Sequence, residues 1–272
     1  MALFIYFTLA FVISWTTAAL IVGPSEIINI RDIATEIEMP LVIMAMVIGP
    51  TLAGLFSTLL VDGKIGLKEL FTKFRKWKVE RRWFLALLIA PLTVAAADLL
   101  LSLFSKNFIP AIFTMSNKIS FLGFTIFGAL VGGFLEEIGW TGFAIPRMLK
   151  RFSVLKTGLI LGLIWGSWHF IVNFWGSANS AGEVPLWLFL LVALFSFLIP
   201  YRILMVWVYS HTKSLPLSIL MHCNLIFFWL ILAPTVGTGL YRTIWFITWA
   251  VILWGTVIVV NNRTKDGLLK ET

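Results

Sequence analysis

Eight runs of mostly apolar residues divide the chain, at roughly 2 to 23, 40 to 61, 83 to 105, 119 to 146, 157 to 175, 184 to 209, 215 to 232 and 238 to 261. A helix needs about 20 such residues to cross the hydrocarbon core of a bilayer, where backbone polar groups find no water and must pair within the segment. The pattern predicts an all-α fold: one polytopic membrane domain over residues 1–272, with about eight transmembrane helices. No linker between the runs is long enough for a soluble domain. The first run opens Met1-Ala2-Leu3, without a basic stretch ahead of it, so it is expected to stay as a helix rather than be removed as a signal peptide.

Polar positions cluster between the runs and give an orientation. The second connection holds Lys64, Lys68, Lys73, Arg75, Lys76, Lys78, Arg81 and Arg82, and the fourth holds Arg147, Lys150, Arg151 and Lys156. The first connection instead carries Glu26, Arg31, Asp32, Glu36 and Glu38. Basic residues are retained on the cytoplasmic side, so both basic connections and both termini are expected inside, at the cell membrane if the source is bacterial. Residues 64 to 82 also place Leu67, Leu70, Phe71, Phe74 and Trp77 at helical spacings. That fits an amphipathic helix lying on an anionic leaflet, or equally a solvated loop.

Composition agrees with this picture. The chain is 60% hydrophobic and 12% charged, which excludes an ordinary soluble domain. Its net charge of +8 is accounted for by the retained basic loops, so no nucleic-acid partner is expected. The single cysteine, Cys223, excludes an internal disulfide and reads as a packing residue.

Ionisable groups inside the runs are costly unless paired, and each is a functional candidate. They are Asp98, Glu136, Glu137, His169, Arg202 and His222, with His211 at the inner end of the sixth run. Glu136 and His169 flank the basic turn between the fourth and fifth runs almost symmetrically. At 1.5 Å per residue each lies roughly 15 to 20 Å from that end, and His222 lies at a similar depth. Three helices therefore bring one carboxylate and two imidazoles to one layer inside the bundle. Gly158, Gly162 and Gly166 on the fifth run suit close helix packing, as do Gly132 and Gly133 on the fourth. Adjacent helical positions point about 100° apart, so Glu136 and Glu137 must do different work.

The run Glu136-Glu137-Ile138-Gly139-Trp140-Thr141-Gly142-Phe143, followed by Pro146-Arg147, resembles the CPBP family of intramembrane proteases, which includes the CAAX prenyl endopeptidases and bacteriocin-related (lysostaphin resistance protein A-like) relatives. The family pattern is a double glutamate with an arginine four residues after the second, then Phe-x-x-x-His, then His-x-x-x-Asn, each on its own transmembrane helix. Trp165 to His169 fits the second element with Trp in place of Phe, and His222 fits the third. The resemblance covers residues 119–232. This chain has Thr141 where the arginine is expected and Ile226 where the asparagine is expected. Glu137 therefore needs another partner, and Arg202 has a matching depth. Asn224 points about 200° away from His222, whereas Asn173, one turn after His169, could supply a donor.

The resemblance implies an endopeptidase in which Glu136 activates water, His169 orients it, His222 stabilises the oxyanion and Glu137 supports the site. Trp165, Thr141, Arg202 and Asn173 would line it or bind substrate. Peptide hydrolysis needs such a base, a proton donor for the leaving amine and oxyanion donors. No cofactor is required. A divalent metal such as zinc could be held by Glu136, His169 and His222, although there is no His-Glu-x-x-His. The implied partners are a protein or peptide substrate, lipidated or not, and the surrounding lipids. Two other readings stay open: a family member that has lost hydrolysis, given Thr141 and Ile226, and a transporter or membrane-complex component using the buried polar groups. Asp98 would couple to transport in the last, and otherwise is a cavity partner or an interhelical bond.

Overall fold

The computed structural model describes residues 1–23, 27–28, 38–177, 183–235, 239–263 and 268. The charged residues Glu26, Arg31, Asp32 and Glu36 of the first connection lie outside the described residues. Those described form helices and connecting turns, with a single isolated bridge between Pro110 and Pro234. We label the longer helices α1 (Ala2–Val22), α2 (Glu38–Lys73), α3 (Ile89–Ser102), α4 (Lys118–Gly139), α5 (Val154–Trp168), α6 (Phe170–Trp175), α7 (Leu186–Phe195), α8 (Leu198–Thr212), α9 (Leu215–Leu232) and α10 (Leu240–Arg263).

Among the described residues seven helical segments are long and apolar enough to cross a membrane: Ala2–Val22, Pro40–Lys73, Arg81–Ser102, Lys118–Met148, Leu186–Thr212, Leu215–Leu232 and Leu240–Arg263. The protein is a polytopic membrane protein. The eighth run, expected at 157 to 175, is shorter than a full span. Its helix Val154–Trp168 stops at His169, whose ψ of −4° tightens the backbone before α6 continues. The carbonyls near the break are used locally: His169 N–H donates to Gly166 O at 3.0 Å, and Asn173 Nδ2 donates to His169 O at 3.0 Å.

Several helix ends have a local cause. Asn117, Ser153 and Ser214 accept hydrogen bonds from Ser120 N, Lys156 N and Leu217 N at the starts of α4, α5 and α9. Helix α2 runs through Pro50 and breaks at Gly63, whose φ of 65° and ψ of −160° suit a residue without a Cβ. Beyond the break the helix turns along the end of the bundle. The amphipathic helix expected over 64 to 82 is realised only to Lys73; a short turn and a 3₁₀ segment, Arg81–Leu88, replace its second half. Leu70 is buried, while Phe71 and Trp77 stay more than half exposed.

Small residues set the helix spacing. A Cβ on Gly133 would stand 2.6 Å from Cys223 Sγ and 2.7 Å from Cys223 N, so α4 and α9 touch backbone to backbone. Gly158 and Gly162 meet Ile203 and Ile199 of α8 in the same way. With lipid outside as apolar as the core, close packing and interhelical hydrogen bonds hold these helices together. Met1, Arg147 and Lys150 line one cavity, and Leu155 N–H bonds Leu268 O. Both ends of the described chain thus lie at the basic end of the bundle. Arg147 pairs there with Asp62, and Lys73 Nζ donates to Gly142 O at 2.9 Å.

Candidate active site

The double glutamate sits at the last turn of α4, and the residues after that turn are not α-helical. Trp140–Ala144 form a π-helical turn, with Trp140 N–H shared between the carbonyls of Glu136 and Glu137. Such a turn adds a residue to the helix and recurs at functional sites. Here it directs Trp140, Thr141 and Phe143, all without exposed surface, into the core beside the glutamates.

Glu137 has no exposed surface and is the hub of the site. Arg202 Nη1 donates to its Oε1 at 2.9 Å and its Oε2 at 3.1 Å, and Thr141 Oγ1 donates to Oε2. His222 Nδ1 donates to Oε1 at 2.8 Å. The carboxylate can only accept, so His222 carries a proton on Nδ1 and turns Nε2 the other way. Arg202 comes from α8, whereas the family arginine comes from the glutamates' own helix. Its guanidinium lies 3.9 Å above the centre of the Trp165 ring, a cation–π stack that places the charge over an indole face. Thr141 in place of the arginine and Trp165 in place of the phenylalanine are therefore one arrangement. The small hydroxyl leaves room for an arginine from another helix, and the larger ring supports it.

Glu136, 3% exposed, points to the other side. Trp165 Nε1 donates to its Oε2 at 2.8 Å, a bond that a phenylalanine could not make. One turn later His169 Nδ1 bonds the Trp165 carbonyl at 2.8 Å, which fixes the proton on Nδ1 and leaves Nε2 as the nitrogen able to accept one. The ring is held between Trp165 and Trp168, with centroids at 5.3 and 4.7 Å. His169 is close enough to Glu136 for their charges to interact. His222 packs edge-on to Trp165 at 5.1 Å. Two imidazoles, one carboxylate and one guanidinium thus surround a single indole.

The remaining candidates divide. Asn173 donates back to the His169 carbonyl and faces a 310 Å³ cavity toward Trp229 and Arg242, so it supports the helix break rather than reaching the carboxylates. Asn224 donates to Leu220 O within its own helix. Ile226 lies against Gly132, its Cδ1 2.8 Å from where a Cβ there would stand. Asp98 is apart from the site: Trp245 Nε1 donates to its Oδ1 at 2.6 Å across α3 and α10. His211 is exposed and packs on Trp83 at 4.9 Å. The sequence did not single out Tyr6 of α1, which reaches the end of α4 and packs on Trp140 at 5.5 Å. An apolar transmembrane run gives no signal for which of its aromatics will do this.

Among the described residues no three His, Cys, Asp or Glu side chains converge to hold a metal ion. Nδ1 of His169 and of His222 is committed, and Glu136 Oε2 accepts from an indole, so a metal would have to be met by the two Nε2 atoms and Glu136 Oε1, and these groups do not converge as a ligand set.

Residues 118–228 match the family model for type II CAAX prenyl endopeptidase, Rce1-like. Over 120 residues the chain is 25% identical to the CAAX prenyl protease 2 of Methanococcus maripaludis. That alignment covers 44% of this chain and 39% of the relative's length. The matched segment runs from α4 into α9 and contains Glu136, Glu137, Trp165, His169, Arg202 and His222. Through this segment the chain is similar to the type II CAAX prenyl endopeptidases, and it spans well under half the length of the relative it matches.

Proposed function

We propose that the protein is an intramembrane endopeptidase that hydrolyses a peptide bond with water activated by Glu136. The observation that carries this reading is the buried pair Glu136 and Glu137 with both histidines anchored through Nδ1, each leaving Nε2 for the reaction. Glu136 takes a proton from water. His169 Nε2 orients that water or relays the proton to the leaving amine, and His222, its Nδ1–H held by Glu137, takes a second proton on Nε2 and donates that N–H to the developing oxyanion. Glu137 and Arg202 do not meet the substrate; they fix His222, as a buried carboxylate fixes the histidine of a triad. The substrate is a protein or peptide, lipidated or not, that reaches the site from the membrane. The basic end, with Arg147, Lys150 and Lys76, faces the cytoplasm, and both termini lie on that side.

The test is cleavage of a peptide library by purified protein, comparing the wild type with Glu136→Ala and His169→Ala, with and without a chelator. Loss in both variants supports the reading, and insensitivity to chelator supports the metal-free route. A wild type that folds and binds peptides yet cleaves none would favour a member that has lost hydrolysis, for which Ile226 in place of an amide donor is the motive.

A further inference from the structure

Tyr6 stands on α1, outside the segment that matches the family. Its ring has no exposed surface and packs on Trp140 at 5.5 Å and Phe143 at 5.1 Å, so packing alone would be served by phenylalanine. Its hydroxyl is buried without a hydrogen-bond partner. Leaving such a group unpaired costs about 1–3 kcal/mol, a cost that a purely structural position would avoid by carrying phenylalanine. The hydroxyl lies 2.5 Å from where a Cβ on Gly139 would stand, and a Pro50 carbonyl lies 2.2 Å from the same point, so glycine admits both. Gly139 is three residues after Glu136, on the adjoining part of the helix face. Tyr6 is near enough to interact with the charges of Glu137, Arg202 and Glu136.

Two further observations narrow the role. The Trp140 indole N–H, buried against Tyr6, is also unpartnered. Among the described residues, Glu136 Oε2 receives the Trp165 N–H while Oε1 receives no hydrogen bond from the protein. Two donors without acceptors, on rings that pack on each other, thus lie beside the turn of α4 that follows Glu136. Glu137 cannot serve them, because Arg202, His222 and Thr141 already fill its oxygens. Indoles donate only, so Trp140 cannot serve Tyr6. A buried water takes two to four such partners, and one that accepted from Tyr6 O–H and Trp140 Nε1–H and donated to Glu136 Oε1 would balance this set.

We propose that Tyr6, together with Trp140, holds a water against Glu136 Oε1 and is a positioning residue of the active site. This rests on the reading of Glu136 as the base. The hydroxyl sets where the free carboxylate oxygen points, so its loss acts on turnover and not on substrate affinity. The charged and titratable groups around the two glutamates are His169 on α5, Tyr201 and Arg202 on α8, His222 and Cys223 on α9, and Tyr6 on α1. Helix α2 faces this level with Pro50, Thr51 and Gly54.

The experiment measures kcat and KM for peptide cleavage by the full chain in detergent, with Tyr6→Phe, Trp140→Phe, the double variant and Glu136→Ala side by side. Tyr6→Phe is expected to lower kcat by about 10- to 100-fold, within the range for residues that position an acid or base, with KM and thermal midpoint unchanged. Because both donors hold one water, the double variant should lose no more than the worse single variant, as groups acting as a unit are non-additive. Unchanged kcat in Tyr6→Phe, or multiplicative losses in the double variant, would overturn the inference. If Glu136→Ala itself retains activity, the proposed function fails first, and the two failures are told apart by that arm.

Discussion

Two carboxylates inside this membrane protein each accept a hydrogen bond from a tryptophan indole, and the contrast between them shows what separates a site from a strut. Trp245 donates to Asp98 at 2.6 Å and Trp165 donates to Glu136 at 2.8 Å. Both acids are 3% exposed. Around Asp98 the remaining bonds are structural: Trp249 Nε1 donates to Thr93 Oγ1 at 3.0 Å, joining the same pair of helices. Around Glu136 the neighbours are imidazoles with an unused nitrogen, a second carboxylate and an arginine. A buried acid with one donor ties helices together. Under the proposed function, the same acid beside anchored histidines exchanges a proton with water.

The sharpest way to break that contrast is a pair of isosteres. Glu136→Gln keeps an oxygen for Trp165 but removes the base, and cleavage should fall by about 10²- to 10⁴-fold. Asp98→Asn, assayed alongside, should cleave within about threefold of wild type, because its oxygen still accepts from Trp245 and no reacting group faces it. Equal losses from the two would erase the distinction.

Arg202→Ala leaves Glu137 buried and uncompensated, and should cost about 3–5 kcal/mol of stability in detergent melts, with activity lost as His222 drifts. Adding Thr141→Arg to that variant returns an arginine to the family position four residues after Glu137. It should recover part of both losses, since the charge then reaches the carboxylate along the helix. No recovery would mean that the π-helical turn excludes the family geometry.

Trp165→Phe keeps a ring beneath the guanidinium but removes the donor to Glu136, with an expected loss of about tenfold in turnover, near the value of one hydrogen bond to a charged group. Trp245→Phe should instead lower the melting temperature and leave cleavage intact. The smallest effects are expected from hydroxyls. Thr141→Val should lose about 1 kcal/mol and a few-fold of activity. Thr93→Val should lose a similar stability and no activity.

How much of this was readable in advance differs by residue. The long spans, such as 215 to 232 against Leu215–Leu232, followed from the length that lipid imposes on an apolar helix. Depth counting put Glu136, His169, His222 and Arg202 in one layer, because rise per residue is fixed and the helices are antiparallel. Counting could not show that the His169 helix breaks at that residue, which depends on local hydrogen bonds to Trp165 and Asn173. Nor could it choose between roles for Asp98, since the partner that decides, Trp245, is 147 residues away. Asn173 spends an amide N–H on the His169 carbonyl, a local bond that counting does not foresee.

The sequence by itself determined an all-helical membrane protein, the order of its spans and which ionisable residues lipid forces into the interior. It did so because the bilayer leaves so few solutions that hydropathy and spacing suffice. Tertiary structure alone decided the partners. Arg202 rests on Trp165 and pairs with Glu137, the histidines turn their Nδ1 atoms inward, and Tyr6 arrives from α1 beside Gly139. These contacts depend on how far each helix rotates and how closely glycines let it approach, and neither quantity is written in any one segment.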